Sequence, residues 1–272
     1  MIVLAETFCT MLPSEFTPRY LFDLVRIGPP EDGGYVVPRR IIPACTLLVS
    51  LGLSDDWRFE QSFQQISGAK VVCYDHTVTG SFWVKAFAIN TLAALGGRFH
   101  RFRKLFDVLR YCKYFNGQTA IHYQRRIGYR ENGDEDIDSI MNANRNDRVF
   151  IKMDIEGSEY RVLDQLLNYP DRIAGFVIEF HDTDLFFDRI LDFLRRSTVS
   201  YCLVHVHANN YSQIAPNGIP TVLELTWIAM SQVRNDDFDQ SPSYPINGLD
   251  FPNDRSKPDI PLKFESTSRW SN

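Results

Sequence analysis

The sequence predicts an open α/β fold with a parallel sheet at its centre. Three runs carry that expectation: Arg148 to Met153, Ala174 to Phe180 and Tyr201 to Val206 are mostly apolar, of strand length, and each gives way to ionisable or amide side chains. Strands buried on both faces of a parallel sheet read as near-continuous apolar stretches of this kind. The first run exits into Asp154, Glu156 and Gly157, the second into Glu179, His181 and Asp182, and the third into His205, His207, Asn209 and Asn210. In open α/β sheets the ligand lies beyond the carboxyl ends of the strands, so three such exits point to one polar cleft.

With 272 residues and 44% hydrophobic content the chain can bury a large core. We expect one domain: an N-terminal segment 1–45, a core 46–232 interrupted by a helical insertion 81–118, and an irregular tail 236–272. The net charge of -5 argues against a surface built for nucleic acid and suits a small or neutral substrate better. Five scattered cysteines, odd in number, fit a reducing compartment. The opening Met1-Ile-Val-Leu-Ala has no basic leader, and no apolar run is long enough to span a bilayer, so a cytoplasmic protein is expected.

Taken in order, Thr46 to Ser50 is a short strand, Leu51-Gly52-Leu53 a turn, and Phe59, Phe63 and Ile66 mark a helix. Val71 to Tyr74 forms the next strand and closes a βαβ unit with Asp75 at its tip. Ser81 to Gln118 reads as helical, with an apolar stripe of Phe99, Phe102, Phe106 and Leu109 beside Arg98, Arg101, Arg103, Lys104, Arg110 and Lys113. Its simplest reading is an arm packed on the core with a solvated basic face; a grip on a phosphorylated or acidic acceptor, or a place on a membrane surface, are the alternatives. Ile121 to Ile127 suggests a strand and Asp136 to Met141 a helix. After the central Val149 strand, Val162, Leu163, Leu166 and Leu167 mark an amphipathic helix stopped at Tyr169-Pro170. Phe186 to Arg196 gives another. The polar loop between His207 and Val222 has no helical pattern, so Thr221 to Ile228 is expected to pair back as an antiparallel hairpin.

The turn Ser50-Leu-Gly52-Leu-Ser-Asp55-Asp56 suits a ligand received on backbone N–H groups, or an ordinary strand-to-helix connection. A single glycine is too few for the close approaches a nicotinamide dinucleotide demands. Asp75 lies at the spacing from that turn where a ribose hydroxyl is met, with His76 placed against a base; a solvated strand end is the plain alternative. Phe82, Trp83 and Phe87 serve equally as stacking groups or as core.

Lys152-Met-Asp154-Ile-Glu156-Gly157-Ser-Glu159 resembles the Lys-x-Asp-x-Glu-Gly-x-Glu motif of the FkbM-like family of S-adenosylmethionine-dependent methyltransferases. Asp32-Gly33-Gly34-Tyr35 and Ser50-Leu51-Gly52 leading to Phe59-Glu60 are similar to further family segments, and the likeness runs from about Leu24 to Ile228. The resemblance implies a Rossmann-like class I methyltransferase sheet of seven strands with the last antiparallel, which agrees with the hairpin inferred above. It implies S-adenosylmethionine as cofactor, its methionine part held by Ser50, Gly52 and the following turn and its ribose by Asp75. Gly34, Tyr35, Asp55, Phe59, Glu60, His76 and Asp154 complete the implied cofactor set. Asp154, Glu156 and the strand end from Glu179 to Asp182 would face the methyl group. The chain departs from the family in a glycine turn poorer than Gly-x-Gly and in its basic insertion.

Methyl transfer from a sulfonium is an in-line displacement in which the protein aligns the acceptor and takes its proton. His181 is the first candidate for base and His207 the second, each also readable as a hydrogen-bonded structural histidine. Glu179, Asp182 and Asn209 are expected to bind acceptor. His205 and His207 share a strand face, and with Asp154 and Asp182 they form a candidate site for magnesium or manganese. The expected activity is O-methylation of a hydroxyl on a sugar or other glycosylated small molecule, an assignment that rests on the resemblance. A metal-assisted O-methyltransferase and a catalytically silent cofactor-binding module acting through the basic arm are the alternatives.

Overall fold

The computed structural model describes residues 9–19, 23–96, 106–234 and 242–266. Arg98, Phe99, Arg101, Phe102, Arg103 and Lys104 of the expected basic arm lie outside them.

A short β1 (Thr10–Leu12) opens the described chain, and β2 (Leu24–Ile27) and β3 (Tyr35–Pro38) form an antiparallel hairpin. The βαβ unit follows as β4 (Leu47–Leu51), α1 (Arg58–Ser67) and β5 (Lys70–Tyr74). Two helices, α2 (Gly80–Leu95) and α3 (Asp107–Tyr114), lead to β6 (Ala120–Tyr123). Then come α4 (Ile137–Ala143), β7 (Val149–Met153), α5 (Glu159–Val162), β8 (Ile173–His181) and α6 (Phe187–Ser197). The hairpin of β9 (Tyr201–Ala208) and β10 (Val222–Ala229) precedes a last short strand, β11 (Leu262–Phe264).

Seven strands make the main sheet in the order β6-β5-β4-β7-β8-β10-β9. The pairs β5–β6, β4–β5, β4–β7 and β7–β8 are parallel, while β10 runs antiparallel to β8 and to β9. The last strand of this sheet in chain order, β10, is thus inserted antiparallel between its two predecessors, β8 and β9, as expected of a seven-stranded sheet with its last strand antiparallel. The strand order reverses between β4 and β7, which makes their tips the topological switch point where open α/β sheets bind ligands. Every residue of β4 and of β7 is buried, as a central strand covered on both faces requires.

One face of the sheet packs against α4, α5 and α6 through Ile140, Met141, Val162, Ile190 and Phe193. The other packs against the β2–β3 hairpin and α1 through Tyr35, Val37, Phe59 and Phe63. Asp136 starts α4 by accepting the Ser139 N–H at 2.8 Å, so that helix begins where a capping residue stands in the sequence.

Three expectations change. The strand expected over Ile121 to Ile127 stops at Tyr123, and the helix after Asp154 continues from α5 as 3-10 turns over Leu163–Asn168. The tail is less irregular than its composition suggests: β11 pairs in parallel with β1. Residues before it bind β9 and its loop, Asn210 Nδ2 donating to the carbonyls of Asp254 and Pro258 at 3.0 and 3.1 Å.

Candidate active site

At the switch point Gly52 adopts φ +86°, and a Cβ there would lie 1.6 Å from the carbonyl oxygen of Asp154. Only glycine permits so close an approach at this backbone angle. The Asp154 N–H donates to the Leu51 carbonyl at 2.8 Å and the Gly52 N–H to the Tyr74 carbonyl at 3.0 Å, so the tips of β4, β5 and β7 are tied together. Asp75 completes the tie. Its Oδ2 accepts the Leu53 and Ser54 N–H groups at 2.9 and 3.0 Å, and its Oδ1 accepts the Thr77 N–H and hydroxyl at 2.7 and 2.6 Å. Burial raises the Asp75 carboxyl, but the Thr77, Ser54 and Leu53 hydrogen bonds outweigh it and hold the pKa below the ordinary range.

Beyond these tips lies a cavity of about 290 Å³ walled by Gly52, Asp75, His76, Arg125, Asp154 and Glu156. It sits at the lower end of the roughly 300–1,000 Å³ common for small-molecule sites. Arg125 and Arg126 were not among the expected residues. They reach the cavity because β6 ends at Tyr123, whose carbonyl accepts the Asp75 N–H at 3.1 Å and sets the following residues beside the β5 tip. The signal available in the sequence was the adjacent pair of arginines directly after a strand.

The cavity's other side is an acid and imidazole cluster. After β7 the chain doubles back, with Glu156 at φ +53° and Gly157 at φ +87°. Glu159, fully buried, staples this loop: its Oε1 accepts from Ile155 N at 3.1 Å and Gly157 N at 3.3 Å, and lies 3.0 Å from His181 Nδ1. His181 Nε2 then faces Glu156 Oε2 at 3.5 Å and Asp154 Oδ1 and Glu179 Oε1 at 3.9 Å each. Burial lowers the His181 pKa, but Glu159, Glu179 and Asp154 overcome it and push it up to about 9. That shift favours the imidazolium at neutral pH and weighs against His181 as a ready base. Glu159 is the member of the motif that sequence reasoning left without a role.

A buried polar layer supports the cluster from beneath. Lys152 Nζ donates to the Gly52 carbonyl at 2.9 Å and lies 3.7 Å from Asp154 Oδ2. Ser50 donates to Glu60 Oε1 at 2.6 Å, and both residues are fully buried. The Tyr35 hydroxyl is 2.7 Å from Glu179 Oε2 and 3.2 Å from Asp154 Oδ2. Burial, with Asp154 and Glu224 nearby, raises Glu179 well above the ordinary carboxyl range.

The expected contact residues therefore divide. Gly52, Asp75, His76, Asp154 and Glu156 line the cavity. Ser50, Phe59 and Glu60 are at most 2% exposed and stand behind the turn, so they position it rather than touch a ligand. Gly34 is part of a tight turn, where a Cβ would meet the Pro29 carbonyl at 2.1 Å, and Tyr35 acts through Asp154 and Glu179. Asp55 faces a second, open cavity of about 810 Å³ lined also by Trp57, Arg58, Lys113 and Tyr114. Asn209 is buried and donates to Glu179 Oε1 at 2.8 Å, which makes it a strut for that acid instead of an acceptor contact. Asp182 is exposed at the rim with φ +51°.

His207 and His205 belong to a different row. His207, 1% exposed, has Nδ1 3.2 Å from Glu224 and Nε2 3.0 Å from Asp259, so neither ring nitrogen is free to take a substrate proton or a metal. His205 Nε2 lies 2.9 Å from Asp250 Oδ1. The expected metal set of Asp154, Asp182, His205 and His207 thus does not assemble. Among the described residues the metal-ligating groups that do converge are Asp154, Glu156 and His181, one ligand atom of each lying within 4.8 Å of the others.

Residues 100–201 match the family model described as the methyltransferase FkbM domain. Solved structures with a similar chain path include an rRNA methylase from Streptococcus thermophilus, at 10% identity and TM-score 0.37, covering 70% of this chain and 93% of that one. A precorrin-6y C5,15-methyltransferase from Geobacter metallireducens aligns at 9% identity and TM-score 0.35, over 70% and 86% of the two chains. TYW2 from M. jannaschii, solved in complex with AdoMet, aligns at 11% identity and TM-score 0.32, over 71% and 74%. No curated protein sequence matches the chain.

Proposed function

From the premise that the chain carries an FkbM methyltransferase domain and is an S-adenosylmethionine-dependent methyltransferase, we propose that it methylates a hydroxyl oxygen on a sugar or other glycosylated acceptor. The observation that carries this reading is the 290 Å³ cavity at the switch point lined by Asp154 and Glu156, whose carboxylates converge with His181. The residues present fit the cofactor. Gly52 and the Asp75-braced turn would hold its nucleoside end with Arg125 on the far wall, and the carboxylates of Asp154 and Glu156 suit a cationic sulfur. When bound, the cofactor supplies an electrophilic methyl group on that sulfur.

The chain's own part is placement and proton handling. His181, charged at neutral pH, holds Asp154 and Glu156 in position, and Glu159 holds His181. We assign acceptance of the hydroxyl proton to Asp154, which lines the cavity and is anchored by Tyr35. The wider cavity, lined by Asp55, Asp56, Trp57 and Tyr114, brings together carboxylates and aromatic rings, residue types that suit a sugar. Transfer of labelled methyl from S-adenosylmethionine to a panel of glycosides tests the reading. The native protein is expected to transfer and the Asp154→Ala variant to lose at least about a hundredfold in rate, as removal of a general base does. Cofactor binding without transfer to any glycoside would favour the silent module.

One observation favours a second reading, a divalent cation that orients the acceptor hydroxyl. His181 turns Nδ1 to Glu159 and Nε2 toward Asp154 and Glu156, the arrangement in which a carboxylate fixes a ligating imidazole. Magnesium or manganese would be held there by two carboxylate oxygens and by His181 Nε2 once the metal displaces its proton. Activity abolished by chelator and restored by either metal selects this reading; insensitivity to chelator selects the metal-free one.

A further inference from the structure

We propose that His122 is a positioning residue for the cofactor: from β6 it fixes the backbone of Asp75, and α3 in turn fixes His122. Asp75 lies one residue past the end of β5, and its N–H and its carbonyl are both held from β6. The N–H donates to the Tyr123 carbonyl at 3.1 Å, and His122 Nε2 lies 2.9 Å from the Asp75 carbonyl oxygen. A carbonyl only accepts, so Nε2 carries the proton. Burial lowers the His122 pKa and outweighs the pull of the Asp75 carbonyl and carboxylate, which favours the neutral ring at neutral pH. Nδ1 of that ring is then an acceptor, and the Tyr111 hydroxyl of α3 donates to it. Burial pushes the Tyr111 phenol up to about 12, so it keeps the proton it donates. Every proton from Tyr111 to the Asp75 carbonyl is thereby assigned to one place.

The same helix grips the turn at its other end. Trp57 closes the segment that begins at Gly52, and its ring meets those of Tyr111 and Phe115 edge-on, with centroids 5.9 and 6.2 Å apart. The His122 ring packs on the same two aromatics at 5.8 Å from each. Between these two holds the Asp75 carboxylate accepts the Leu53 and Ser54 N–H groups, so a shift of the Asp75 backbone moves the whole turn. His122 is not a wall of the 290 Å³ cavity and acts only through Asp75, which is one. A group that meets a ligand keeps its productive geometry through the hydrogen bonds behind it. Helix α3 also lines the cavity of about 810 Å³ through Asp107, Arg110, Lys113 and Tyr114, so one element stands behind both cavities. The inference rests on the placement of the nucleoside end against the Asp75-braced turn proposed above.

Asparagine and glutamine at this position separate the two ends of the ring. The Asn amide takes the place of Nδ1 and meets only Tyr111, whereas the Gln amide takes the place of Nε2 and donates to Asp75. In calorimetry on the full chain, His122→Asn is expected to weaken S-adenosylhomocysteine binding by about threefold to tenfold, the worth of one hydrogen bond. His122→Gln is expected to stay within about twofold of native. On an Asp75→Ala background the Asn substitution should add no further loss, because the group it acts through is gone. Nitrogen-15 NMR of the native protein reads the ring directly and should show the Nε2–H tautomer at neutral pH. An Nδ1–H tautomer overturns the proposal, as do equal losses in the Asn and Gln variants or a full additional loss on Asp75→Ala. Native affinity in His122→Asn while Asp75→Ala binds weakly overturns this inference alone. Native affinity in Asp75→Ala overturns the placement of the nucleoside, and this inference with it.

Discussion

The α-carbon of Gly52 and the carbonyl oxygen of Asp154 are packed so closely that a methyl group on the glycine would lie 1.6 Å from that oxygen. The contact joins the turn after β4 to the end of β7 that delivers Asp154, the residue to which we assign the acceptor's proton. Gly52→Ala is expected to cost about 2–4 kcal/mol of stability, from strain at φ +86° and from the collision. Urea unfolding measures the first effect. Calorimetry with S-adenosylhomocysteine should show the loss of affinity that follows from separating the two tips, and native binding by the alanine protein would contradict the coupling.

Asp75 braces the same turn with four hydrogen bonds. In Asp75→Ala the buried Leu53 N–H loses its acceptor, a cost of about 1–3 kcal/mol. Both S-adenosylmethionine and S-adenosylhomocysteine should bind at least about tenfold more weakly, a change of about 1.4 kcal/mol or more. Unaltered affinity for both would remove Asp75 from the cofactor site.

Glu159 is the main partner holding His181 at a pKa of about 9. In Glu159→Gln the imidazole should titrate closer to its ordinary value near 6.5, a shift read directly by NMR of the ring protons. Retention of the value near 9 would show that the other acids suffice. Because the folded-state pKa lies above the unfolded one, the charged histidine stabilises the fold fully below about pH 6.5, and that contribution disappears as pH rises through about 9. Native protein should therefore lose stability between pH 7 and 9 more steeply than the Gln variant. Rate carries a separate signature: with Asp154 as base, transfer should not wait for His181 to lose its proton, whereas a histidine base would make it rise through about pH 9.

His207 is held by Glu224 and Asp259 in the buried row across β9 and β10. His207→Leu leaves both buried carboxylates without their imidazole partner and should destabilise by about 3–5 kcal/mol. Denaturant unfolding checks this. A variant with native stability but no activity would return His207 to the catalytic role expected of it from sequence.

The strands and their polar exits were legible because burial on two faces writes a continuous apolar run, and the end of that run marks the tip of the strand. Asp154, Glu156 and His181 met as expected for that reason. His207 was misjudged because strand parity tells which face a side chain takes and nothing about what lies on it. Its partner Asp259 stands 52 residues further on, in a tail whose composition suggests no structure. The upward shift of His181 was not legible, since it depends on Glu159 arriving from the neighbouring strand's loop. Phe87, readable equally as core or as a stacking group from sequence, is 53% exposed on α2.

A crystal structure with S-adenosylhomocysteine bound tests the central claim most directly. The nucleoside should lie between Gly52, Asp75 and Arg125, with the sulfur turned toward Asp154 and Glu156. A ligand seated elsewhere, or one whose sulfur points away from these two carboxylates, would contradict the account.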